Sequence, residues 1–282
     1  MPIRKLDKND LEFAAALTAA EGWFYTPREL EVMLRLDPEG SFVYEDGERM
    51  GFATSVAYGR TGVLGHLIVG KKGRGRKIGQ SLLQAALEHM ESRGAESILL
   101  YATHEGVRLY EKHGFTVRDE IFCAHLNLEN TSARNPSRCE PLTRRDLPEV
   151  VEIDQELFGD RRETLLSALY DEGVQHGFKI ERDGRLAGYI MGRHDHVGYD
   201  LGPWACLTED PEDAEDLFRS ALSTMDPGTI YMGSFLKNPK AIEISSKMPI
   251  VRSWRIPLMI RGKGRYESNL SKLFGIAAFE LG

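Results

Sequence analysis

Residues 71–79, Lys-Lys-Gly-Arg-Gly-Arg-Lys-Ile-Gly, place a basic, glycine-rich loop between an apolar segment and a helical pattern. The segment 63–69 is short and apolar, which predicts a strand, and apolar residues from Ile78 to Met90 recur at helical spacing. Glycine lets the backbone turn tightly and lets a bulky anion approach it. The first amides of a helix lack internal partners and carry the positive end of its dipole. The sequence therefore predicts a cradle for a phosphate group.

Two common phosphate loops do not fit the spacing of these glycines. A P-loop needs Gly, four residues and then Gly-Lys-Ser/Thr, and the chain contains no such run. Gly73, Gly75 and Gly79 read G-x-G-x-x-x-G, one residue longer than the dinucleotide fingerprint. The next predicted strand, 97–101, ends in Ala-Thr without the acid that would hold a ribose, which disfavours a dinucleotide-dependent redox enzyme. A basic turn that is merely solvated remains an alternative interpretation.

Residues 74–79, Arg-Gly-Arg-Lys-Ile-Gly, resemble the Arg/Gln-x-x-Gly-x-Gly/Ala loop of the GCN5-related N-acetyltransferases (GNATs). In that family the loop holds the pyrophosphate of acetyl-CoA, and the preceding strand pairs with the pantetheine arm. Lys77 stands where the family usually has glycine, so a positive φ at this position would have to be adopted by a lysine. The resemblance implies acetyl-CoA as co-substrate and no metal. It implies that the cofactor-binding residues are Leu67, Ile68, Val69, Arg74, Gly75, Arg76, Lys77, Ile78, Gly79, Gln80 and Thr103.

A second segment, residues 102–115, resembles the GNAT run that ends in Leu-Tyr-x-x-x-Gly-Phe. In the family this tyrosine lies at the acyl thioester, which implies that Tyr110 is the general acid that protonates the departing CoA thiolate. The same residues also predict a short helix from about Gly106 with Gly114 at its C-cap and Tyr110 in the core. The phosphate loop precedes this segment on the adjacent predicted strand, and this order favours the functional interpretation.

The reaction implied by the resemblance is direct attack of a primary amine on the acyl thioester. An amine with a pKa of ~10 is mostly protonated at neutral pH, so a base must remove a proton first. His66 is one candidate, because it lies on the strand before the loop and histidine titrates near neutrality. Glu21 is the other, because it lies in the segment that lines the acceptor pocket of related enzymes. A core histidine and a solvated carboxylate are the structural alternatives, and the choice stays open.

The aromatic residues that follow Glu21 are Trp23, Phe24 and Tyr25. They could form a wall of the acceptor pocket, or they could belong to the core.

The second half of the chain repeats the first with a nearly constant offset. The hairpin pattern 42–52 recurs at 178–189, and the helix pattern 79–90 recurs at 214–225. A length of 282 residues also favours two domains. We therefore predict an α/β protein of two GNAT-like domains, each a mixed twisted β-sheet flanked by helices. The catalytic domain would span 1–128, the polar segment 129–138 would be a linker, and the second domain would span 139–282.

The second half lacks counterparts of the basic phosphate loop and of Tyr110. Residues 207–213, Leu-Thr-Glu-Asp-Pro-Glu-Asp, are acidic where the first half is basic, and carboxylates there would repel a pyrophosphate. Tyr110 corresponds to Ser245, and Thr103 corresponds to Asn238. The run from Asn238 resembles the Asn-x-x-Ala-Ile opening of the family's last helix. We therefore predict a degenerate second domain.

Composition limits the other possible functions. The net charge is −7 and the basic residues cluster in one loop, which argues against nucleic-acid binding. Three cysteines without C-x-x-C spacing suggest neither a disulfide framework nor a zinc site. His194 and His196 share a strand face, but no third metal ligand is evident. The apolar run 273–282 predicts a last strand. It is too short to span a membrane.

We therefore predict a cytoplasmic N-acetyltransferase, with no membrane association, that moves an acetyl group to a small-molecule or peptide amine. A homodimer is possible. A non-catalytic CoA-binding or regulatory module is the alternative function. Amino acids, polyamines, antibiotics, peptide N-termini and protein lysines remain open as acceptors, because a fold does not select a substrate.

Overall fold

The computed structural model describes residues 2–129, 138–194, 197–262 and 270–282. The first half consists of β1 (Ile3–Lys5), α1 (Leu11–Ala20), α2 (Pro27–Leu36), β2 (Ser41–Asp46), β3 (Glu48–Ala57), β4 (Thr61–Val69), α3 (Ile78–Ser92), β5 (Ser97–Tyr101), α4 (Val107–Glu111) and β6 (Thr116–Leu128). The second half consists of β7 (Glu140–Pro141), α5 (Leu147–Phe158), α6 (Glu163–Gly173), β8 (Phe178–Arg182), β9 (Arg185–His194), β10 (Tyr199–Cys206), α7 (Pro211–Leu222), β11 (Gly228–Phe235), α8 (Pro239–Ser245), β12 (Ile250–Gly262) and β13 (Leu273–Gly275).

The two halves have the same order of elements from β1 to β6 and from β7 to β12, which confirms the repeat predicted from the sequence. The correspondence extends to local capping. A short 3₁₀ turn precedes both α1 and α5, and each turn is closed by a reciprocal side-chain and backbone capping box. Asp7 and Asp10 form the first box, and Thr143 and Asp146 form the second. Each box satisfies backbone amides that would otherwise lack partners at the start of the helical segment.

The two halves share one 13-stranded sheet, in the order β1-β2-β3-β4-β5-β12-β6-β11-β10-β9-β8-β7, with β13 paired to β10. The final long strand of each half is exchanged. β12 pairs antiparallel with β5, and β6 pairs antiparallel with β11. β6 and β12 also pair with each other at the centre of the sheet. The predicted sheet of each half is therefore present, and the exchange joins the two sheets without leaving an unpaired edge between them.

Helices cover both faces of the first-half sheet. The apolar face of α3 contributes Leu82, Leu83 and Leu87 to a core with β4 and β5. On the opposite face, α1 and α2 pack on Phe52 and Ile68. A third cluster combines residues of both halves, so the contact between them is a continuous hydrophobic core.

The predicted helix from Ile78, the short helix after Gly106 and the strands at 63–69 and 97–101 are all present, with β4 beginning two residues earlier, at Thr61. Most of the predicted linker, 130–137, lies outside the described residues, as do Asp195 and His196. The longest described helix, α3, has 15 residues, and none of the described helices has the length and hydropathy needed to cross a bilayer.

Candidate active site

The first half contains an opening between two neighbouring strands. β4 and β5 pair in parallel over residues 61–64 and 97–100, and beyond this point β3 is the only strand partner of β4 in the described parts of the chain. The register between β3 and β4 shifts opposite Thr54, so that Gly65 and His66 share one partner position. The amide of His66 donates to Oγ1 of Thr54 at 2.9 Å instead of joining the ladder. This bulge turns β4 away from β5 and leaves room for an extended ligand between them.

The predicted phosphate loop leads from β4 into an uncapped helix. Lys77 precedes α3 in the left-handed conformation, with φ of 62° and ψ of 11°. The lysine therefore adopts the backbone that glycine supplies more easily, at a cost of about 1–2 kcal/mol. The first intrahelical bond of α3 runs from the amide of Ser81 to the carbonyl of Lys77. No side chain among the described residues caps this helix, so its first amides, on Ile78, Gly79 and Gln80, are available to an anion.

Arg74 connects the loop to the segment between α1 and α2. Its Nε donates to the carbonyl of Val69 at 3.2 Å, and its Nη2 forms an ion pair with Glu21. Two other loop cations have carboxylate partners, at 3.1 Å for Lys72–Glu48 and 3.5 Å for Arg76–Asp46. Such exposed pairs contribute about 0–1 kcal/mol each, so a more highly charged pyrophosphate could replace these carboxylates. Glu21, one of the two predicted bases, is thus held by the phosphate loop.

Tyr110 lies in the last part of the short helix α4, which follows β5, and is buried. Its ring meets that of Phe115 at a centroid distance of 5.9 Å, and burial raises the pKa of the phenol. A Cβ on Gly106 would lie 3.1 Å from the Tyr110 ring and 3.3 Å from Oγ1 of Thr103. The glycine therefore brings together two residues that the sequence assigned to the site. A phenol with a raised pKa stays protonated at neutral pH, as a general acid must.

His66 lies on the face of β4 that is covered by α1 and α2. Its Nδ1 is 3.0 Å from Oγ1 of Thr54, and its Nε2 is buried without a hydrogen-bond partner in the described chain. Because Oγ1 already accepts the His66 amide, we assign its proton to the bond with Nδ1, which places the ring proton on Nε2. Burial lowers the pKa of His66 to about 3. The ring is therefore neutral, and it is a weak proton acceptor.

Two of the three aromatic residues predicted for the acceptor pocket, Trp23 and Tyr25, lie beside His66. Tyr25 meets the imidazole edge-on at 4.6 Å, and Trp23 lies at 6.4 Å. The Trp23 and Phe24 residues are 40% and 58% exposed, whereas Tyr25 is partly buried. Only Tyr25 packs on the adjoining core cluster, so the segment combines an aromatic surface open to solvent with one anchoring ring.

The equivalent opening in the second half is filled by the chain itself. β13 pairs with β10 beyond the short parallel contact of β10 with β11. The amide of Ile276 donates to the carbonyl of Gly233 at 3.0 Å, and Oγ of Ser234 donates to the carbonyl of Phe274 at 2.7 Å. Nδ2 of Asn238, the counterpart of Thr103, donates to the carbonyls of Ser271 and Leu273, both at 3.0 Å.

The start of α7, which corresponds to the start of α3, already carries acidic groups. Asp210 caps the helix by accepting the amide of Glu212 at 2.9 Å. Arg138 neutralises this helix start through ion pairs with Asp210, Glu212, Asp213 and Asp216. A further anion would meet these carboxylates in place of free amides.

Comparison with known proteins agrees with this architecture. Residues 11–115 match the family model described as "Acetyltransferase (GNAT) family", and residues 150–275 match "Acetyltransferase (GNAT) domain". The chain belongs to the GNAT superfamily. It contains two GNAT domains in tandem, as the sequence predicts.

The relatives include proteins named as acyltransferases or acetyltransferases. The chain is 26% identical to a holothin acyltransferase of Pseudoalteromonas sp. (strain SANK 73390) over 93% of this chain and 88% of that protein. It is 38% identical to a mycothiol acetyltransferase of Thermobispora bispora over 28% of this chain and 31% of that protein. The crystal structure of a putative acetyltransferase from Pyrococcus horikoshii has the same fold, with a TM-score of 0.81, 21% identity and coverage of 99% and 95%.

Sequence reasoning missed one residue that the second half contributes to the site of the first GNAT domain. Glu280 lies on the segment after β13 and accepts a hydrogen bond of 2.7 Å from the hydroxyl of Tyr25. Glu280 is 9% exposed, and burial raises the pKa of its carboxyl. A carboxylate within an apolar run was the available signal, but the run predicted only a strand.

The second GNAT domain also holds a buried ion pair. Arg162 forms an ion pair with Asp154 at 2.6 Å, and both side chains are buried. Among the described residues, no group of three His, Cys, Asp or Glu side chains could hold a metal ion.

Proposed function

We propose that the first GNAT domain transfers an acetyl group from acetyl-CoA to a primary amine, and that the second GNAT domain binds no acyl-CoA. The observation that carries this proposal is the contrast between the two halves. The opening between β4 and β5 leads to an uncapped helix start, whereas β13 and acidic side chains occupy the corresponding places in the second half. The first half therefore offers a continuous groove with a positive end.

In this proposal the loop binds the pyrophosphate of acetyl-CoA. The amides of Ile78, Gly79 and Gln80 donate to it, and Arg74, Gly75, Arg76 and Lys77 surround it. The pantetheine arm lies along β4 at residues 67–69 as an added strand, because that part of β4 has no second strand partner among the described residues. Thr103 lies at the other side of the opening. An amide of residues 67–69 polarises the acyl carbonyl.

Tyr110 donates a proton to the departing CoA thiolate, since its buried phenol remains protonated at neutral pH. His66 acts as a hydrogen-bond donor through Nε2 in place of a base, because its pKa is too low for efficient proton acceptance. Glu21 is paired with Arg74 of the phosphate loop, so its carboxylate lies at the pyrophosphate end of the groove and not at the thioester. The amine's proton therefore requires a different acceptor.

The acceptor that we propose is a small-molecule amine. The relatives named for holothin and mycothiol support this class, as does the pocket wall formed by Trp23 and Phe24, which is open to solvent. A peptide amine is the competing outcome of the test below.

Calorimetric titration tests the cofactor site directly. The wild-type chain should bind one acetyl-CoA and give no heat with NAD. A Cβ on Gly79 would meet only Val69, at 3.5 Å, so Gly79→Glu should fold and place a carboxylate at the pyrophosphate. It should weaken acetyl-CoA binding about tenfold or more. Gln84→Glu adds the same charge farther along α3, where Gln84 is exposed, and should bind as the wild type does. Equal affinities of the two variants would contradict the proposed loop.

Release of the CoA thiol then tests transfer. A panel of an amino sugar, a polyamine, an arylalkylamine and a lysine-containing peptide should contain an amine that accelerates thiol release. Binding of acetyl-CoA without thiol release for any amine would favour the non-catalytic CoA-binding module instead.

A further inference from the structure

The segment that follows β12 runs from the second GNAT domain into the active site of the first. We refer to residues 270–282 as the tail segment. Its first part is β13, which is held in the groove between β10 and β11. Its last part is held by side chains from both halves. The hydroxyl of Tyr58 donates to the carbonyl of Leu281 at 3.2 Å, and Nη1 of Arg162 donates to the carbonyl of Gly282 at 2.6 Å.

Between these two anchors the tail segment crosses the opening of the first half. The parallel pairing of β4 and β5 ends at Leu64 and Leu100, so Gly65 and Tyr101 are the first residues of the opening. Phe279 meets the ring of Tyr101 at 5.5 Å. A Cβ on Gly65 would lie only 2.8 Å from Cβ of Glu280. The tail segment thus touches both strands where they separate.

The Glu280 carboxylate lies on the acceptor side of this opening. Its partner Tyr25 belongs to the segment between α1 and α2, and Tyr25 also contacts His66 in the bulge of β4. A side chain at position 65 would clash on two sides, since its Cβ would lie 2.7 Å from Oγ1 of Thr54 and 2.8 Å from Cβ of Glu280. The absence of a side chain at Gly65 therefore makes room for Cα and Cβ of Glu280 beside the bulge.

We propose that Glu280 is the residue that takes the proton from the acceptor's ammonium group, and that the second GNAT domain serves to hold Glu280 in place. The inference rests on the transfer reaction proposed above, and it supplies the proton acceptor that His66 and Glu21 do not provide. The groove between β10 and β11 corresponds to the cofactor groove of the first domain, and in this proposal it serves as the socket that holds the tail segment.

The proton balance of the step is complete without a further reagent. One ammonium proton passes to a carboxylate oxygen of Glu280 and then to solvent. The free amine attacks the thioester carbon, so that a C–N bond forms and the C–S bond breaks. The sulfur takes a proton from Tyr110, and the second proton lost by the nitrogen balances this transfer through solvent. The products are the amide, the CoA thiol and one released proton.

Charged and titratable groups from four directions surround Glu280. Burial outweighs their combined effect and raises the pKa of Glu280, which strengthens it as a base relative to an exposed carboxylate. Arg193, which pairs with Asp200 at 2.6 Å and reaches the carbonyl of Ala277 at 3.4 Å, opposes this rise. The groups are Tyr25 from the α1–α2 segment, Glu29 from α2, Tyr58 directly after β3, and Arg193 from β9, whose partner is Asp200 of β10.

The test compares Glu280→Gln, Glu280→Asp and the exposed control Glu152→Gln in the full chain, with the amine from the panel that gives the fastest thiol release. Glu280→Gln should lower kcat/KM about 100-fold or more at pH 7, as expected for the loss of a general base. Its affinity for acetyl-CoA in calorimetry should match that of the wild type. Glu280→Asp should recover part of the activity, and Glu152→Gln should behave as the wild type.

The pH profile separates a base from a structural residue. The defect of Glu280→Gln should shrink as the pH approaches ~10, where the amine is already deprotonated. A defect that is equal at every pH, or activity equal to that of Glu152→Gln, would overturn the inference while leaving the transfer function intact. A wild-type chain that binds acetyl-CoA but releases no thiol with any amine would overturn the proposed function, and the inference with it.

Discussion

Truncation of Phe274 offers a direct test of the socket in the second GNAT domain. Phe274 is the central residue of β13 and is 5% exposed. Its ring lies 4.8 Å from that of Trp204, and its carbonyl accepts the Ser234 hydroxyl. An aromatic side chain buries about 150–250 Å². At about 25 cal/mol per Å² this corresponds to about 4–6 kcal/mol.

Phe274→Ala should therefore lower the free energy of unfolding by about 3–5 kcal/mol, since alanine keeps part of the burial. For a chain of this size each kcal/mol corresponds to about 2–4 °C, so the melting temperature should fall by roughly 6–20 °C. Guanidinium unfolding followed by circular dichroism measures the change. One transition is expected because the two halves share a sheet and a core.

Phe24→Ala is the matched control, because the same residue type is 58% exposed there. It should change the free energy of unfolding by less than about 0.5 kcal/mol. A loss below about 1 kcal/mol for Phe274→Ala would show that the tail segment is not held in its groove in solution. The argument for a self-filled second site would then fail.

Four further predictions follow from single positions. Gly65→Ala should lower kcat about tenfold or more while acetyl-CoA affinity in calorimetry stays unchanged, because the new Cβ would displace Glu280. Lys77→Val should weaken acetyl-CoA binding more than Lys77→Gly, since a β-branched residue resists a φ of 62°. Asp154→Ala should cost about 3–5 kcal/mol in denaturant unfolding by leaving Arg162 buried and unpaired. The raised pKa of Glu280 means that the native state binds more protons than the unfolded chain between the two pKa values. The free energy of unfolding should fall as the pH rises through that interval, and Glu280→Gln should remove this fall.

The sequence was sufficient for features set by local patterns. Apolar spacing and the glycine-rich loop predicted α3, its start at Ile78 and the preceding strand, all of which the structure contains. The internal repeat predicted two copies of one fold, and the family comparison confirms both. These features depend on residues close together in the chain, where periodicity and turn chemistry are informative.

Features that depend on distant residues could not be predicted in the same way. The residues of β6 do not by themselves indicate which strand will pair with it, and the exchange of β6 and β12 is decided by tertiary packing. Glu280 and Gly65 are 215 positions apart, and nothing in either local sequence indicates that they meet. The sequence indicates that a lysine stands where the family usually has glycine, but only the backbone shows that Lys77 adopts the left-handed conformation.

The exchange of β6 and β12 also determines how the two halves can change over generations. A gene fragment that ended after β6 would encode β5 and β6 without β12, the strand that separates and pairs with both. Each half is therefore inherited as part of a single folding unit, whatever chemistry it retains. Substitutions that fill the groove between β10 and β11 leave this unit intact, whereas substitutions that disrupt the pairing of β12 do not. Substitutions in the second half should therefore be tolerated where they leave strand pairing and the tail socket intact.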